Sequence, residues 1–344
     1  MRLLVSGGAG FLGSHFIRRW MRTHPSDQIV NLDLLTYAGS RARLADLETH
    51  PQYTFVEGNI CDPALVRQAM DGCDAVIHLA AETHVDRSIA DAAPFLRTNV
   101  EGTHVLLEAA RALRVKRFLH VSTDEIYGPI VDGAVDEQAP MRPCSPYAAS
   151  KAAGDLLAQA FHHTYQLPVL IARPTNIYGS AQLPEKLIPL CITNALDSLT
   201  IPIYGDGEQR RAWLFVSDLC DALQAILERG TLGQIYNIAG GHEQANMETV
   251  RQILKALGCA PALMQFVADR PGHDRRYAMH DAMLRQLGWR PQVSFEDGVK
   301  ETIEWYREHH AWWRPLAQRL REDSYHWLNR SARSSAPQAS GAIV

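Results

Sequence analysis

The sequence is poor in the features that mark several protein classes. Its 344 residues include six cysteines: Cys61, Cys73, Cys144, Cys191, Cys220 and Cys259. None forms a C-x-x-C pair or joins a Cys/His cluster at zinc-finger spacing, so a disulfide framework and a structural metal are both disfavoured. Reduced, buried thiols in a cytoplasmic protein are the plain expectation. No apolar run approaches the roughly 20 residues that span a bilayer, which disfavours an integral membrane role. Met1 and Arg2 lead through a short apolar stretch into glycines, a first β-strand rather than a secretory segment. Neither charge sign dominates: 34 Lys and Arg face 38 Asp and Glu, a formal charge of -4, and such a field does not draw nucleic acid. Internal repeats are absent, and biased composition is confined to the tail beyond about Arg330. What the chain does have is 46% hydrophobic residues, enough to bury a large core.

Those residues alternate in a readable order. Leu3-Leu4-Val5-Ser6 before Gly7, a helical pattern from about Gly13 to Thr23, and Ile29-Val30-Asn31-Leu32 read as strand, turn, helix and strand. Further strands are expected at Tyr53 to Glu57, Ala75 to Leu79, Arg117 to Val121 and Pro168 to Ile171, with helices near 62–71, 95–114 and 147–164. Strands separated by helices pair in parallel, so the fold class is α/β, a Rossmann-type doubly wound sheet. After Asn176 prolines punctuate the chain. Helices are expected at 185–197, 217–229, 246–257 and 296–307 and a further strand at Gln234 to Ile238, which suggests a smaller mixed α/β C-terminal domain with some of the chain returning to the first domain. The boundaries expected are 1–176 and 207–241 for a cofactor-binding domain, 177–206 and 242–328 for a substrate domain, and 329–344 for a flexible tail. Arg314 to Tyr325 reads as a possible terminal helix.

Gly7-Gly8-Ala9-Gly10-Phe11-Leu12-Gly13 places small residues where a strand turns into a helix, whose unpaired N–H groups attract a pyrophosphate. Asp33 ends the next strand, 20 residues past Gly13, where a carboxylate binds ribose hydroxyls and repels a 2′-phosphate. Together they favour NAD. Asn59 and Ile60 would edge the adenine or simply form a turn. Leu79, Ala80 and Ala81 follow the fourth strand, where backbone can approach the cofactor, and His78 reads as a packed core histidine.

Tyr147 and Lys151 are four apart and share a helix face. A lysine beside a nicotinamide cation would lower the tyrosine pKa from about 10 toward about 7, roughly 4 kcal/mol of differential stabilisation, and make it a base. Ser122-Thr123-Asp124-Glu125 follows a strand at the sheet edge where ligands enter. Asp124 and Glu125 would add an acid and a base for a second proton transfer, although a turn or helix cap also explains such a pair.

At these residues the chain resembles the extended short-chain dehydrogenase/reductase family, and within it the dTDP-glucose 4,6-dehydratase branch. The resemblance runs from the start to about Tyr306. Its glycine turn and Tyr147-to-Lys151 segment are broadly shared; Leu35-Thr36-Tyr37-Ala38-Gly39, His84-Val85-Asp86-Arg87, Asp124-Glu125, Pro184-Glu185-Lys186 and Arg270-Pro271-Gly272-His273 add to the match. The resemblance implies oxidation at sugar C4 with Tyr147 as base, Lys151 on the nicotinamide ribose and Thr123 orienting the C4 oxygen. It further implies removal of the C5 proton by Glu125, protonation of the departing C6 hydroxyl by Asp124, and NAD recycled within the site. It implies sugar or diphosphate contacts from Asn176, Glu185 and Lys186, diphosphate or nucleoside contacts from Arg211, Asn246, Arg270 and His273, base packing by Tyr204, and a substrate-facing network around His84. No catalytic metal is required. It also implies a homodimer built on helices 95–114 and 147–164.

Three departures bear on the substrate. Ala172-Arg173-Pro174-Thr175-Asn176-Ile177 replaces an Asn-rich segment, Ala212 stands where the dehydratases carry Asp, and Asn59 replaces an acidic residue. They leave a C4 epimerase, or a dehydratase of a UDP-linked sugar, as alternatives.

Overall fold

The computed structural model describes residues 1–321. The expected tail at 329–344 and the end of the expected terminal helix lie outside these residues; positions 310–321 are helical.

Seven parallel strands form the main sheet: β1 Arg2–Ser6, β2 Gln28–Asp33, β3 Tyr53–Glu57, β4 Ala75–His78, β5 Arg117–Val121, β6 Val169–Pro174 and, after three others, β10 Ile235–Ile238. Their order is β10-β6-β5-β4-β1-β2-β3. The order in which strands are added reverses between β1 and β4, which run parallel, and a crevice opens there at the C-terminal strand ends, where doubly wound sheets bind ligands. The strands are buried on both faces, as an all-parallel sheet requires: Leu3, Leu4 and Val5 are inaccessible. Helices Phe11–Thr23 and Val216–Arg229 pack together on one face and Pro63–Met70, Thr103–Ala112 and Pro146–Tyr165 on the other. This is the expected Rossmann-type architecture with a smaller mixed α/β part.

The smaller part holds strands too short to read from periodicity. β7 Asn176–Tyr178, β9 Arg210–Phe215 and β11 His242–Ala245 form one sheet, and β8 Ile201–Tyr204 pairs with β12 Met264–Val267. β9 thus belongs to the second sheet although the helix after it packs on the first. One hydrophobic cluster runs from Leu3, Phe16 and Trp20 through Phe215 to Ile253 and Trp313, so both parts share a core.

The expected helix at 95–114 is interrupted. A turn of π-helix spans Arg97–Gly102, between Ala93–Leu96 and Thr103–Ala112. Gly102 sits against Ile60, where a Cβ would come within 2.4 Å of its Cδ1, and Asn99 is turned into the core. The Asn99 amide pairs with both the N–H and the C=O of Glu82 and donates to Ser150 Oγ at 2.9 Å. The π turn therefore fastens the loop after β4 to the helix that carries Tyr147.

Candidate active site

Two cavities, of about 290 and 460 Å³, meet at Glu125, Asn176, Glu185 and Lys186. The first lies in the crevice. The structure brings Gly7, Gly10, Phe11, Leu12 and Gly13 to its wall, with Asp33, Asn59, Ile60, Leu79, Ala80 and Ala81 around them. Gly7 has φ +76° and a Cβ there would sit 2.5 Å from Ala80 N, so the turn runs directly against the loop after β4. A Cβ on Gly13 would lie 2.3 Å from Gly7 O. Only glycine permits this cradle, and its shape fits a dinucleotide. Asp33 Oδ2 accepts from Ala9 N at 2.9 Å and Oδ1 from Leu35 N at 2.8 Å, so the carboxylate also braces the turn. Burial raises its pKa, partly offset by those N–H groups and Arg43. Asn59 Oδ1 accepts from Cys61 N, the local turn that was the competing expectation for this residue. His78 is buried between Ser6 Oγ at 2.8 Å and Thr103 Oγ1 at 2.9 Å; burial holds it well below its usual pKa, a neutral core histidine.

Tyr147 and Lys151 enter from helix Pro146–Tyr165, which Ser145 caps by accepting from Ala148 N and Pro146 starts with its fixed φ. Both side chains are buried against the first cavity. Lys151 Nζ donates to Val121 O at 2.7 Å, and burial brings its pKa down to about 8, with Asp155 pulling the other way. The phenol of Tyr147 departs from the expected lowering. Burial and then the Glu125 charge push its pKa up, Asp124 adds to this, and the Thr123 hydroxyl offsets part of it. The Lys151 ammonium is aimed at a backbone carbonyl and does not offset the burial of the phenol.

Those carboxylates extend from the loop after β5. Asp124 is buried, with Thr123 Oγ1 donating to Oδ1 at 3.2 Å and Thr175 Oγ1 to Oδ2 at 3.0 Å. Burial and then Glu125 push its pKa up to about 7, while Thr175, Arg211 and Thr123 pull it down. Glu125 is also raised by burial, against the pull of Arg270, Arg211 and Lys186. An aspartic acid that keeps its proton near neutrality is a competent general acid, and its neighbour reaches both cavities.

The second cavity gathers His84, Asn176, Glu185, Lys186, Tyr204 and Arg211 with Asn246, Arg270 and His273. Asn176 Oδ1, Glu185 Oε2, Asn246 Oδ1 and Arg270 Nε are buried and make no hydrogen bond within the protein, which suits a polar ligand. Arg270 Nη1 donates to Asp86 Oδ1 at 3.1 Å, and Tyr204 OH donates to Asp86 Oδ2 at 3.0 Å. Lys186 Nζ donates to Thr83 O, and Arg211 donates to the carbonyls of Arg210 and Asp274. Burial and Arg270 hold His273 at a pKa of about 4, so it is neutral. His84 is likewise lowered by burial, and its Nε2 lies 3.9 Å from Glu185.

Sequence reasoning missed Thr175, Tyr277 and the role of Tyr37. Tyr277 OH donates to Asp274 Oδ2 at 2.8 Å and lies 3.4 Å from Glu125 Oε2. Tyr37 OH donates to Glu185 Oε1 at 3.1 Å. Tyr37 lay within a motif already singled out; for Tyr277 the sequence carries no signal. Among the described residues no group of three or more His, Cys, Asp or Glu is placed to hold a metal ion, and no helix is long and apolar enough to cross a membrane.

The family described as GDP-mannose 4,6 dehydratase matches residues 4–302. The dTDP-glucose 4,6-dehydratase of Streptomyces niveus is 53% identical over 321 residues, covering 92% of this chain and 96% of that protein. The crystal structure of DesIV, a dTDP-glucose 4,6-dehydratase from Streptomyces venezuelae with NAD bound, superposes with a TM-score of 0.90 at 50% identity, covering 92% of this chain and all of that one, 100%. A UDP-glucuronic acid 4-epimerase from Bacillus cereus reaches a TM-score of 0.85 but only 27% identity, over 90% of this chain and 99% of its own. A match over nearly the whole length, with the dehydratases well ahead of the epimerase, shows that the chain belongs to the dTDP-glucose 4,6-dehydratase branch of the extended short-chain dehydrogenase/reductase, or NAD-dependent epimerase/dehydratase, family.

Proposed function

We propose that this chain is an NAD-dependent nucleotide-sugar 4,6-dehydratase that converts dTDP-glucose to dTDP-4-keto-6-deoxyglucose. The observation that carries the reading is the Asp124–Glu125 pair beside Tyr147 and Lys151, with Asp124 held near pKa 7. An epimerase needs the tyrosine and lysine but has no use for a buried proton donor next to a second carboxylate.

The glycine turn, Asp33 and Lys151 hold the cofactor. Bound NAD would supply what the side chains lack: a hydride acceptor, a hydride donor, and a positive charge that would favour the ionised phenol of Tyr147. Thr123 orients the C4 hydroxyl and Tyr147 takes its proton. The resulting 4-ketone acidifies the C5 hydrogen, which Glu125 removes while Asp124 protonates the C6 hydroxyl as it leaves as water. Glu125 then returns a proton to C5. Asn176, Glu185 and Lys186 contact the sugar and nearer phosphate, and Arg211, Asn246, Arg270, His273 and Tyr204 the diphosphate and nucleoside. We take 1–176 and 207–241 as the cofactor-binding part and the described residues of 177–206 and 242–328 as the substrate-binding part, with β9 Arg210–Phe215 crossing from the first part into the second sheet.

We further place the enzyme in the cytoplasm as a homodimer. All six cysteines are free, in keeping with a reducing compartment. Ala149, Ala153, Leu156 and Ala160 form a stripe along one side of helix Pro146–Tyr165, and Leu156 is 55% exposed, an apolar face suited to a second copy. Mass analysis of products from dTDP-, UDP-, GDP- and CDP-hexoses tests the activity. Loss of water from dTDP-glucose is the expected result; interconversion of glucose and galactose without loss of water overturns it.

A further inference from the structure

Asp124 must hold a proton before water leaves and become a carboxylate after, although it is only 2% exposed. The groups facing it come from five segments: Thr123 and Glu125 from its own loop, Tyr147 from helix Pro146–Tyr165, Thr175 from the end of β6, Arg211 from β9, and Tyr277. Thr175 differs from the rest. Its hydroxyl has one proton and two acceptors, Asp124 Oδ2 at 3.0 Å and the Ala212 carbonyl at 3.1 Å. The fold sets both distances. Thr175 N–H is fixed to Ile238 O, and the next residue, Asn176, pairs with Trp213 in the β7–β9 ladder, which brings Ala212 alongside.

We propose, on the dehydratase reading above, that Thr175 is a positioning residue for water elimination, its hydroxyl turning from the Ala212 carbonyl to Asp124 Oδ2 as Asp124 gives its proton to the departing C6 hydroxyl. While Asp124 is protonated, the Thr175 proton faces Ala212 O and the Thr175 oxygen is free to accept. Once the Asp124 O–H bond breaks and the proton joins the leaving oxygen, the new carboxylate is the stronger acceptor, and a neutral hydrogen bond is exchanged for a charge-assisted one. Thr123 also donates to Asp124, at Oδ1 and 3.2 Å, but in the proposed mechanism its hydroxyl turns to the sugar's C4 oxygen, which leaves Thr175 for the new carboxylate. Ala212 takes part through its carbonyl, so the missing side chain at that position is no obstacle.

The test compares the full-length enzyme with Thr175→Val and Thr175→Ser on dTDP-glucose. Valine keeps the shape and removes the hydroxyl; serine keeps the hydroxyl. Expected for Thr175→Val is a kcat roughly ten- to hundredfold lower, a KM within about twofold, and build-up of the reduced-nicotinamide absorbance, since C4 oxidation outruns elimination. Its alkaline limb moves upward by up to about one pH unit, because a lost donor makes Asp124 a weaker acid. Thr175→Ser restores most of the rate and the original pH profile. An unchanged rate, a loss with no displacement of the alkaline limb, or failure of serine to rescue overturns the role of Thr175 while wild-type elimination leaves the dehydratase reading intact. Failure of the wild type to eliminate water from any nucleotide-hexose overturns both.

Discussion

The phenol of Tyr37 donates to Glu185 Oε1 at 3.1 Å, joining the loop that follows Asp33 to the segment that lines the substrate cavity. Arg87 stacks on the Tyr37 ring at 4.0 Å and lies 3.6 Å from the other Glu185 oxygen. Burial and the Glu185 charge push the phenol's pKa up, so it stays a donor at any working pH. Glu185 is thereby aimed with Oε2 toward Arg87 and His84, close to both but hydrogen-bonded to neither. Tyr37→Phe leaves a buried carboxylate oxygen unpaired, a loss of about 1–3 kcal/mol. The expected outcome is a KM for the nucleotide sugar raised about tenfold or more with a smaller change in kcat; steady-state kinetics with unchanged KM would refute it.

Asp124 links activity and stability to pH in a definite direction. Its folded pKa of about 7 lies above the ordinary 3.8, chiefly through burial and then Glu125. The folded state therefore holds a proton that the unfolded chain has lost between these values. The contribution to stability is full below the unfolded pKa and is lost as pH rises through about 7. Asp124→Asn cannot ionise, so it gains on the wild type between pH 4 and pH 8, by up to about 4 kcal/mol. Urea unfolding at the two pH values checks this, and a difference that is constant or reversed rejects it. The same variant loses water elimination at every pH.

The main sheet was legible because its strands are short, mainly apolar runs separated by helices, and four of them lead into residues with evident chemistry: Gly7, Asp33, Ala80 and Thr123. Tyr147 and Lys151 were legible for the same reason, since helical spacing alone puts them together. Thr175 and Tyr277 were not. Their partners lie 51 and 152 residues away, and only the packing of β6, β9 and the later loop brings them to Asp124 and Glu125. The π turn at Arg97–Gly102 escaped because periodicity across Leu96 and Thr103 looks continuous. The raised pKa of Tyr147 depends first on its burial and then on the Glu125 charge, neither of which a spacing rule reports.

Asp155 and Arg173 form a bidentate ion pair in the core, with Nε to Oδ2 and Nη2 to Oδ1 both at 3.0 Å. Arg173 Nη1 also donates to Tyr127 OH and to Glu137 O. The pair ties helix Pro146–Tyr165 to β6 and thus sets Tyr147 and Lys151 against the sheet. Asp155→Ala strands a buried guanidinium and is expected to cost about 3–5 kcal/mol in denaturant unfolding. Its kcat falls with stability. A variant within about 1 kcal/mol of wild type would show that the pair contributes little more than an exposed one.

Gly7 offers the most direct test of the cofactor cradle. Its φ of +76° is in the left-handed region, and a Cβ would meet Ala80 N at 2.5 Å and Leu79 C at 2.9 Å. Alanine there adds about 1–2 kcal/mol of backbone strain, and the clash with backbone allows no side chain to move aside. Relief requires β1 and the loop after β4 to separate, which widens the wall expected to hold the pyrophosphate. Gly7→Ala should therefore purify with little NAD and bind added NAD at least tenfold more weakly, measured by calorimetry. Gly133, also at positive φ but with no heavy atom within 4 Å of an added Cβ, serves as the control. Gly133→Ala carries similar strain and should leave NAD binding unchanged, so equal losses in the two variants would attribute the effect to backbone strain and not to the cradle.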